Sequence, residues 1–247
     1  MTSAEWREKL KDLEGEGHTL VLEYMEYALK EHGTCCENVC DTIAAWYSKY
    51  ATDGKVSYSE AIRLNRMLEL MDDVEEDLDA STEKETNYID LLLAAILALY
   101  SKRLKTPLSL ELIKRVWASD GVLYSDRMWN NKTLLLAYIN SDLKRALARG
   151  DSLPQILAKM RKRFNTSDAN LTRLIQTEAT AYEADMVREF MQNNGFSKYQ
   201  WVTILDGKQC EECDVMDGLI FHIEDFERGV TAPPLHSHCR CQISPII

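Results

Sequence analysis

Apolar residues recur three or four positions apart over most of the chain, which is the pattern of amphipathic helices. Residues 56 to 78 carry one such stripe, and residues 91 to 104 carry another that stops before a Thr-Pro pair. Residues 109 to 117 open with a serine suited to the N-cap of a short helix. The first half of the chain is therefore predicted to be a succession of helices.

Three further helices are predicted in the second half of the chain. Ser125 or Asp126 caps the first, which runs to Arg149, where a basic last turn and a glycine mark its end. The second opens at Asp151 with a proline in its first turn. The third runs from 167 to 192, where an Asn-Asn-Gly stop follows.

After residue 195 the pattern changes to the short aromatic and β-branched runs "YQWVTIL", "GLIFHI" and "CQISPII", which predict three strands. The predicted fold class is mostly α with a small α+β C-terminal unit. We divide the chain into a helical N-terminal region (1–108), a helical core (109–195) and the α+β unit (196–247). A unit of about fifty residues has little core of its own, so we expect it to need a stabilising cross-link such as a bound metal ion.

The composition is that of a globular protein, with 247 residues, of which 45% are hydrophobic and 28% are charged. The N-terminus is charged and lacks the apolar segment of a secretory signal. We therefore expect synthesis and folding in a reducing cytoplasm, where paired cysteines favour a metal site over a disulfide.

The net charge of −11 argues against a general nucleic-acid binder, but the charge is uneven along the chain. Residues 102–173 carry 15 lysines and arginines against 6 acidic residues, whereas both flanking regions are acidic. These cations are either solvated and compensated within the fold, or they face an anionic partner such as DNA or an acidic protein surface.

Four of the seven cysteines and three of the five histidines lie in the last 38 residues. One CxxC pair and one HxxC pair have the spacing with which a tight turn binds zinc. The predicted tetrahedral ligands are Cys210, Cys213, His236 and Cys239. His238 and Cys241 remain as alternative ligands. Since protein side chains fill all four coordination positions, the zinc would be structural. The other interpretations are a disulfide or redox pair, and buried thiols that bind nothing.

The remaining candidate chemistry in the sequence is sparse. Cys35, Cys36 and Cys40 are expected to be buried free thiols. Asp206 and Asp217 each precede a glycine, so we expect them to form turns or to support the zinc ligands. The sequence contains no Gly-rich phosphate loop, HExxH or GxSxG motif, so catalysis is not predicted.

Four ordered motifs, "SDRMW", "RLIQTE", "YQWVTILDGKQCEECDVMDG" and "PPLHSHCRC", resemble those of the phage Mu F-like (MuF) minor head proteins, also called phage head morphogenesis proteins. The resemblance covers about residues 117 to 247. Gln176 and Ser237 depart from the family pattern, which has arginine and proline there. The matching residues are Ser125, Asp126, Arg127, Trp129, Arg173, Leu174, Ile175, Thr177, Glu178, Trp201, Asp206, Cys210, Cys213, Asp217, Gly218, Pro233, Pro234, His236, Cys239, Arg240 and Cys241.

The resemblance implies a non-enzymatic minor capsid protein of a tailed phage or prophage that acts in procapsid assembly near the portal. Its implied partners are the portal protein, the scaffold or the major capsid protein, with packaged DNA as a further partner for the basic segment 102–173. The implied location is the virion, in the capsid interior or at the portal vertex, after assembly in the host cytoplasm. No additional C-terminal toxin domain, as some members carry, is expected.

Two other functions stay open at this point. One is a metal-dependent enzyme, such as a nuclease or transferase, that uses acidic residues near the CxxC pair. The other is a zinc-ribbon-like DNA-binding protein. In each case the "RLIQTE" helix is expected to contact the C-terminal unit through Arg173, Thr177 or Glu178, with Asp206 or the loop of Arg240 as the partner.

Overall fold

The structure, a computed structural model, describes residues 1–114, 116, 120–204 and 211–247. It is mostly helical, with one small three-stranded antiparallel sheet near the C-terminus, as the sequence predicts. In chain order the elements are the helices α1 (Ser3–Tyr50), α2 (Tyr58–Arg63), α3 (Arg66–Leu104), α4 (Tyr124–Arg149), α5 (Leu153–Asn193) and α6 (Glu211–Met216), the 3₁₀ turns Leu110–Lys114 and Ile223–Asp225, and the strands β1 (Lys198–Val202), β2 (Ile220–His222) and β3 (Gln242–Ile246).

The helices differ from the predicted ones chiefly in where they break. The stripe predicted over 56–78 is interrupted between α2 and α3, where Asn65 takes the left-handed conformation at φ 54°. Beyond that break, α3 continues without a stop to Leu104, although two helices were predicted. The acidic stretch stays helical because Ser81 and Glu85 are buried at a spacing that continues the apolar stripe.

The two helices predicted from 151 and from 167 are likewise one continuous helix, α5. Buried Ile156, Met160, Phe164 and Leu171 repeat on one face of it across the predicted boundary. The stop after this helix is confirmed, since α5 ends at Asn193 and the nearby Gly195 takes a positive φ of 73°.

The described residues form two compact units that draw on separated stretches of chain. Unit 1 comprises Met1–Met25, Tyr88–Tyr124 and Thr172–Ile247, and unit 2 comprises Glu26–Asn87 and Ser125–Leu171. The three longest helices, α1, α3 and α5, thus contribute one part to unit 1 and the rest to unit 2. The division into 1–108, 109–195 and 196–247 follows the order of the sequence and remains a prediction.

Unit 2 has a helical core that includes the three N-terminal cysteines. Cys35, Cys36 and Cys40 are buried free thiols, as predicted, and pack with residues such as Ile43 and Phe164. Burial raises the pKa of Cys35 and of Cys36 to about 12. These thiols are packing residues with little thiolate character.

Unit 1 contains the sheet, whose strand order is β2-β1-β3 with both pairs antiparallel. The three predicted strand regions are confirmed. Tyr199 and Trp201 of β1 are fully buried, and nearly all of β3 is buried as well. Among the described residues, no helix combines the length and the apolar content needed to cross a membrane.

Candidate metal centre

Three cysteine side chains of unit 1 meet beside the sheet. Cys213 lies on the short helix α6, and Cys239 and Cys241 lie in the segment that leads into β3. An Asp217-Gly218 turn ends α6, with Gly218 at φ 82° and its N–H donating to the Trp201 carbonyl at 3.0 Å. This turn brings α6 back against β1 and so places Cys213 near the end of that strand.

The sulfur atoms lie within metal-binding distance of one another. The Sγ atoms of Cys213, Cys239 and Cys241 are all within 4.8 Å, and those of Cys213 and Cys239 are 3.9 Å apart. All three cysteines are buried. Two sulfurs bound to one tetrahedral zinc would lie about 3.8 Å apart, so the spacing fits such an ion.

His236 supplies a nitrogen beside the same sulfurs. Its Nε2 atom is 3.1 Å from the Cys213 Sγ atom, and its Nδ1 atom is 2.7 Å from the Ser237 carbonyl oxygen. A carbonyl only accepts, so Nδ1 carries the proton and Nε2 keeps its lone pair. Metal-binding histidines usually donate their other ring N–H to a carbonyl in this way. The metal-binding group among the described residues is thus Cys213, Cys239 and Cys241, and His236, which contacts Cys213, is a candidate fourth donor.

The thiols are already polarised by one another. The Cys241 thiol donates to the Cys239 sulfur, which lowers the pKa of Cys239 to about 6 although burial acts in the opposite direction. The same hydrogen bond, together with burial, raises the pKa of Cys241. This hydrogen bond therefore favours the thiolate form of Cys239, which is the form that a metal ion would bind.

Among the described residues, the core around these cysteines is small. Trp201 is fully buried in it, and Met216, Phe221 and Leu235 pack against its edge. A cluster of this size contributes little burial energy, so an ion bound to three thiolates and an imidazole would add substantially to it.

The structure brings together three of the four predicted ligands, Cys213, His236 and Cys239. Cys241, an alternative in the sequence analysis, joins them. Cys210 and Asp206 lie outside the described residues. The other alternative, His238, contacts α5 instead, where its Nδ1 atom bonds the Gln176 side chain and its N–H donates to Thr177 Oγ1 at 3.3 Å. His238 itself is exposed and takes a positive φ of 64°.

The "RLIQTE" helix contacts the cysteine segment through Gln176 and Thr177 of the motif, which bond His238, and also through Thr180 beyond the motif. Thr180 Oγ1 donates to the Cys239 carbonyl at 2.5 Å, and both groups are buried. Thr177 donates to the Arg173 carbonyl at 2.7 Å as well as accepting from His238. Thr180 follows Thr177 by three positions and therefore lies on the same helix face. From this spacing the sequence could have predicted that Thr180 also contacts the cysteine segment.

Arg240 and Asp217 both contact α1. Arg240 Nε donates to Glu14 Oε1 at 3.1 Å, so one of its partners lies on α1. Asp217 accepts from Arg7, also on α1, and from the N–H of Thr203 at 2.8 Å. Asp217 thus both forms a turn and supports the loop that holds Cys213.

The "SDRMW" motif lies in unit 2, in the first two turns of α4. Ser125 and Asp126 lie inside that helix, which begins at Tyr124, and Trp129 is 41% exposed. Arg127 has an interaction with another residue.

Many cations of the basic segment are paired within unit 2. Buried Asp142 accepts from Arg163 at 2.5 Å and Arg145 at 2.8 Å, and it pairs with Lys159 at 3.3 Å. Arg161 pairs with Glu37 at 2.9 Å. Compensation within the fold therefore accounts for part of this charge.

The family model described as "Phage Mu protein F like protein" matches residues 137–244. This range contains the "RLIQTE" helix and the cysteine segments, whereas "SDRMW" precedes it and remains a resemblance. No match was found among curated proteins or among solved structures. Residues 137–244 are therefore similar to the phage Mu F-like family, a family of phage head morphogenesis proteins.

Proposed function

We propose that this protein is a non-enzymatic minor head protein that acts in procapsid assembly of a tailed phage, close to the portal. The observation that carries the proposal is the convergence of Cys213, Cys239 and Cys241 within the family-matched region, with His236 in contact with Cys213. Four protein donors around one ion leave no open coordination position, which is the arrangement of a structural zinc and not of a catalytic one.

The zinc would be held by Cys213, His236, Cys239 and Cys241. Bound there, it links α6 to the segment before β3, two parts of unit 1 that are otherwise joined through a small core. A structural zinc contributes on the order of 10 kcal/mol to folding at neutral pH. The residues that bind it also determine the shape of the C-terminal surface, which would meet the portal, scaffold or major capsid protein.

Native mass spectrometry of the freshly purified protein tests the metal. We expect one zinc per chain and its loss in Cys213→Ser and Cys239→Ser. We expect Cys241→Ser to lose zinc, because Cys241 lies in the cysteine cluster, and Cys210→Ser tests whether the predicted ligand Cys210 binds the ion as well. A purified protein that is folded without any ion would refute the zinc.

Co-purification with the portal from infected or lysogenic cells tests the assembly role. The wild-type chain should copurify with the portal, and zinc-free Cys239→Ser should do so less. Substrate turnover that survives removal of zinc and returns with magnesium alone would instead indicate the enzyme. A DNA affinity that falls steeply with salt in the absence of portal binding would indicate the zinc-ribbon-like alternative.

A further inference from the structure

We propose that the N-terminal segment of α1 holds the cysteine loops in place, with Arg7 and Glu14 as positioning residues. The cysteine loops are α6 with the turn that follows it, and residues 239–241 before β3. Metal binding and the packing of the α1 segment then stabilise each other. The inference rests on the metal site of the proposed function. The segment, residues 3–25 of α1, lies in unit 1 together with the loops but outside the family-matched range 137–244.

Arg7 makes the first connection. Its Nη2 atom donates to both carboxylate oxygens of Asp217 at 2.8 Å, and its Nη1 atom donates to Gln200 Oε1 at 3.1 Å. The side chains of Arg7 and Asp217 are 20% and 28% exposed, so this contact is mostly shielded from water. A guanidinium held in this way fixes both the turn after α6 and the neighbouring strand β1.

Asp217 passes this constraint on to the metal ligands through Thr203. Asp217 Oδ1 accepts from the Thr203 N–H at 2.8 Å. The Thr203 hydroxyl then donates to the Cys213 carbonyl at 2.9 Å, and the Cys241 thiol lies 3.8 Å from the same hydroxyl. Thr203 is 1% exposed. One buried residue thus contacts two ligand-bearing segments and is itself aligned by the carboxylate that Arg7 holds.

Glu14 makes the second connection, two turns further along α1. It is 4% exposed and accepts from Arg240 Nε at 3.1 Å and from Arg240 Nη2 at 3.3 Å. Arg240 lies between Cys239 and Cys241 in the chain. The forked contact therefore holds the backbone that carries both of these sulfur ligands.

Apolar packing keeps the helix where these two contacts need it. Trp6 lies against Phe190 with 5.2 Å between ring centroids, and Leu10 and Leu13 are fully buried. These residues alternate along α1 with Arg7 and Glu14, so one helical face combines apolar anchors with the two polar contacts. Without the packing of this face, Glu14 would no longer be aligned with Arg240.

The thermodynamic consequence is reciprocal. If the packed helix improves the geometry of the loops for metal, then bound metal must stabilise the packed helix by the same free energy. Substitution of residues that orient metal ligands typically lowers metal affinity 10- to 100-fold. We expect that range for the loss of the Arg7 contact.

The test measures zinc affinity of the full chain by competition with a chromogenic chelator, for wild type, Arg7→Met and Arg103→Met. Arg103 is the matched control because it pairs with Glu16 of the same helix at 3.0 Å but reaches it from α3. Arg7→Lys keeps the charge and loses the forked geometry, so it should fall between wild type and Arg7→Met. Hydrogen exchange of residues 3–25, with and without zinc, measures the reverse effect.

We expect a 10- to 100-fold weaker affinity in Arg7→Met, little change in Arg103→Met, and faster exchange of residues 3–25 once zinc is removed. Circular dichroism must show Arg7→Met to be folded, and Arg7→Lys supports the comparison if it is not. Equal zinc affinity in Arg7→Met and wild type would overturn the positioning role while leaving the zinc site intact. A wild-type chain that binds no zinc would overturn both proposals.

Discussion

Replacing Gly17 with alanine should fail to stabilise α1, although Gly15→Ala, two residues earlier, should succeed. Glycine in a helix is less favourable than alanine by about 1 kcal/mol. A Cβ atom on Gly15 would meet nothing within 4 Å, so that substitution should raise the free energy of unfolding by about 0.5 to 1 kcal/mol. Gly15 is also exposed, which leaves room for the methyl group.

At Gly17 the added Cβ atom would lie 2.1 Å from Glu183 Oε1 and 3.7 Å from a ring carbon of Tyr100. Glu183 is 4% exposed, so its carboxyl group cannot simply swing into water. Burial, reinforced by the charge of Glu14, raises the pKa of Glu183 well above its usual value. Overpacking of this kind costs about 1 to 3 kcal/mol, which cancels or exceeds the helix gain.

Urea denaturation followed by circular dichroism at 222 nm compares the two variants at constant slope. We expect their unfolding free energies to differ by the overpacking cost of about 1 to 3 kcal/mol, because the helix gain is common to both variants. In a Glu183→Ala background the close contact is gone, so Gly17→Ala should then behave like Gly15→Ala. If Gly17→Ala stabilises wild type as much as Gly15→Ala does, the close packing of this helix against Glu183 is refuted.

Three further predictions concern other buried groups. Asp142→Asn should cost about 1 to 3 kcal/mol at pH 7, measured in urea, and the cost should shrink as the pH falls below about 4. Burial raises the pKa of Asp142, but hydrogen bonds from Arg163 and a lysine lower it on balance. The stability that the Asp142 carboxylate contributes is therefore fully present above its unfolded pKa and is lost as the pH falls. Cys35 should resist iodoacetamide at pH 8 until the chain is unfolded, because burial raises its pKa to about 12. Thr180→Val should cost about 1 to 3 kcal/mol in thermal or urea unfolding, since the Cys239 carbonyl loses its buried donor.

Each of these predictions has a result that contradicts it. An Asp142→Asn penalty that is unchanged between pH 7 and pH 3 would mean that the carboxylate charge is not what stabilises unit 2. Alkylation of Cys35 in the native protein, seen by peptide mass spectrometry, would show that the thiol is accessible. Thr180→Val with wild-type stability would show that the Cys239 carbonyl finds another donor.

Local patterns predicted the strands and the stop at Gly195, because strand alternation and turn residues act over a few positions. They failed where buried polar residues continued a helix face. Ser81 and Glu85 are buried in α3 beside His32, whose Nδ1 atom lies 2.8 Å from Glu85 Oε1, so a polar stretch behaves as core. From sequence alone it read as a gap between helices.

Cysteine spacing predicted most of the candidate metal centre, since two short ligand pairs constrain which side chains can share an ion. It named Cys210 as a ligand and kept Cys241 only as an alternative, whereas Cys241 lies in the cluster with Cys213 and Cys239. It also missed Arg7, whose contact with Asp217 joins residues 210 positions apart. Such a contact depends on the tertiary packing of α1, which no local spacing records.

The division of the chain into two units has a consequence for protein synthesis. Unit 2 is complete once Leu171 has been made, whereas unit 1 also needs Thr172–Ile247. At about 5 to 20 residues per second, the ribosome needs roughly 4 to 15 seconds to translate that last stretch. Throughout that interval Trp6 and Leu10 have no C-terminal surface to cover them, so the nascent chain carries an uncovered apolar helix face of the kind that chaperones recognise.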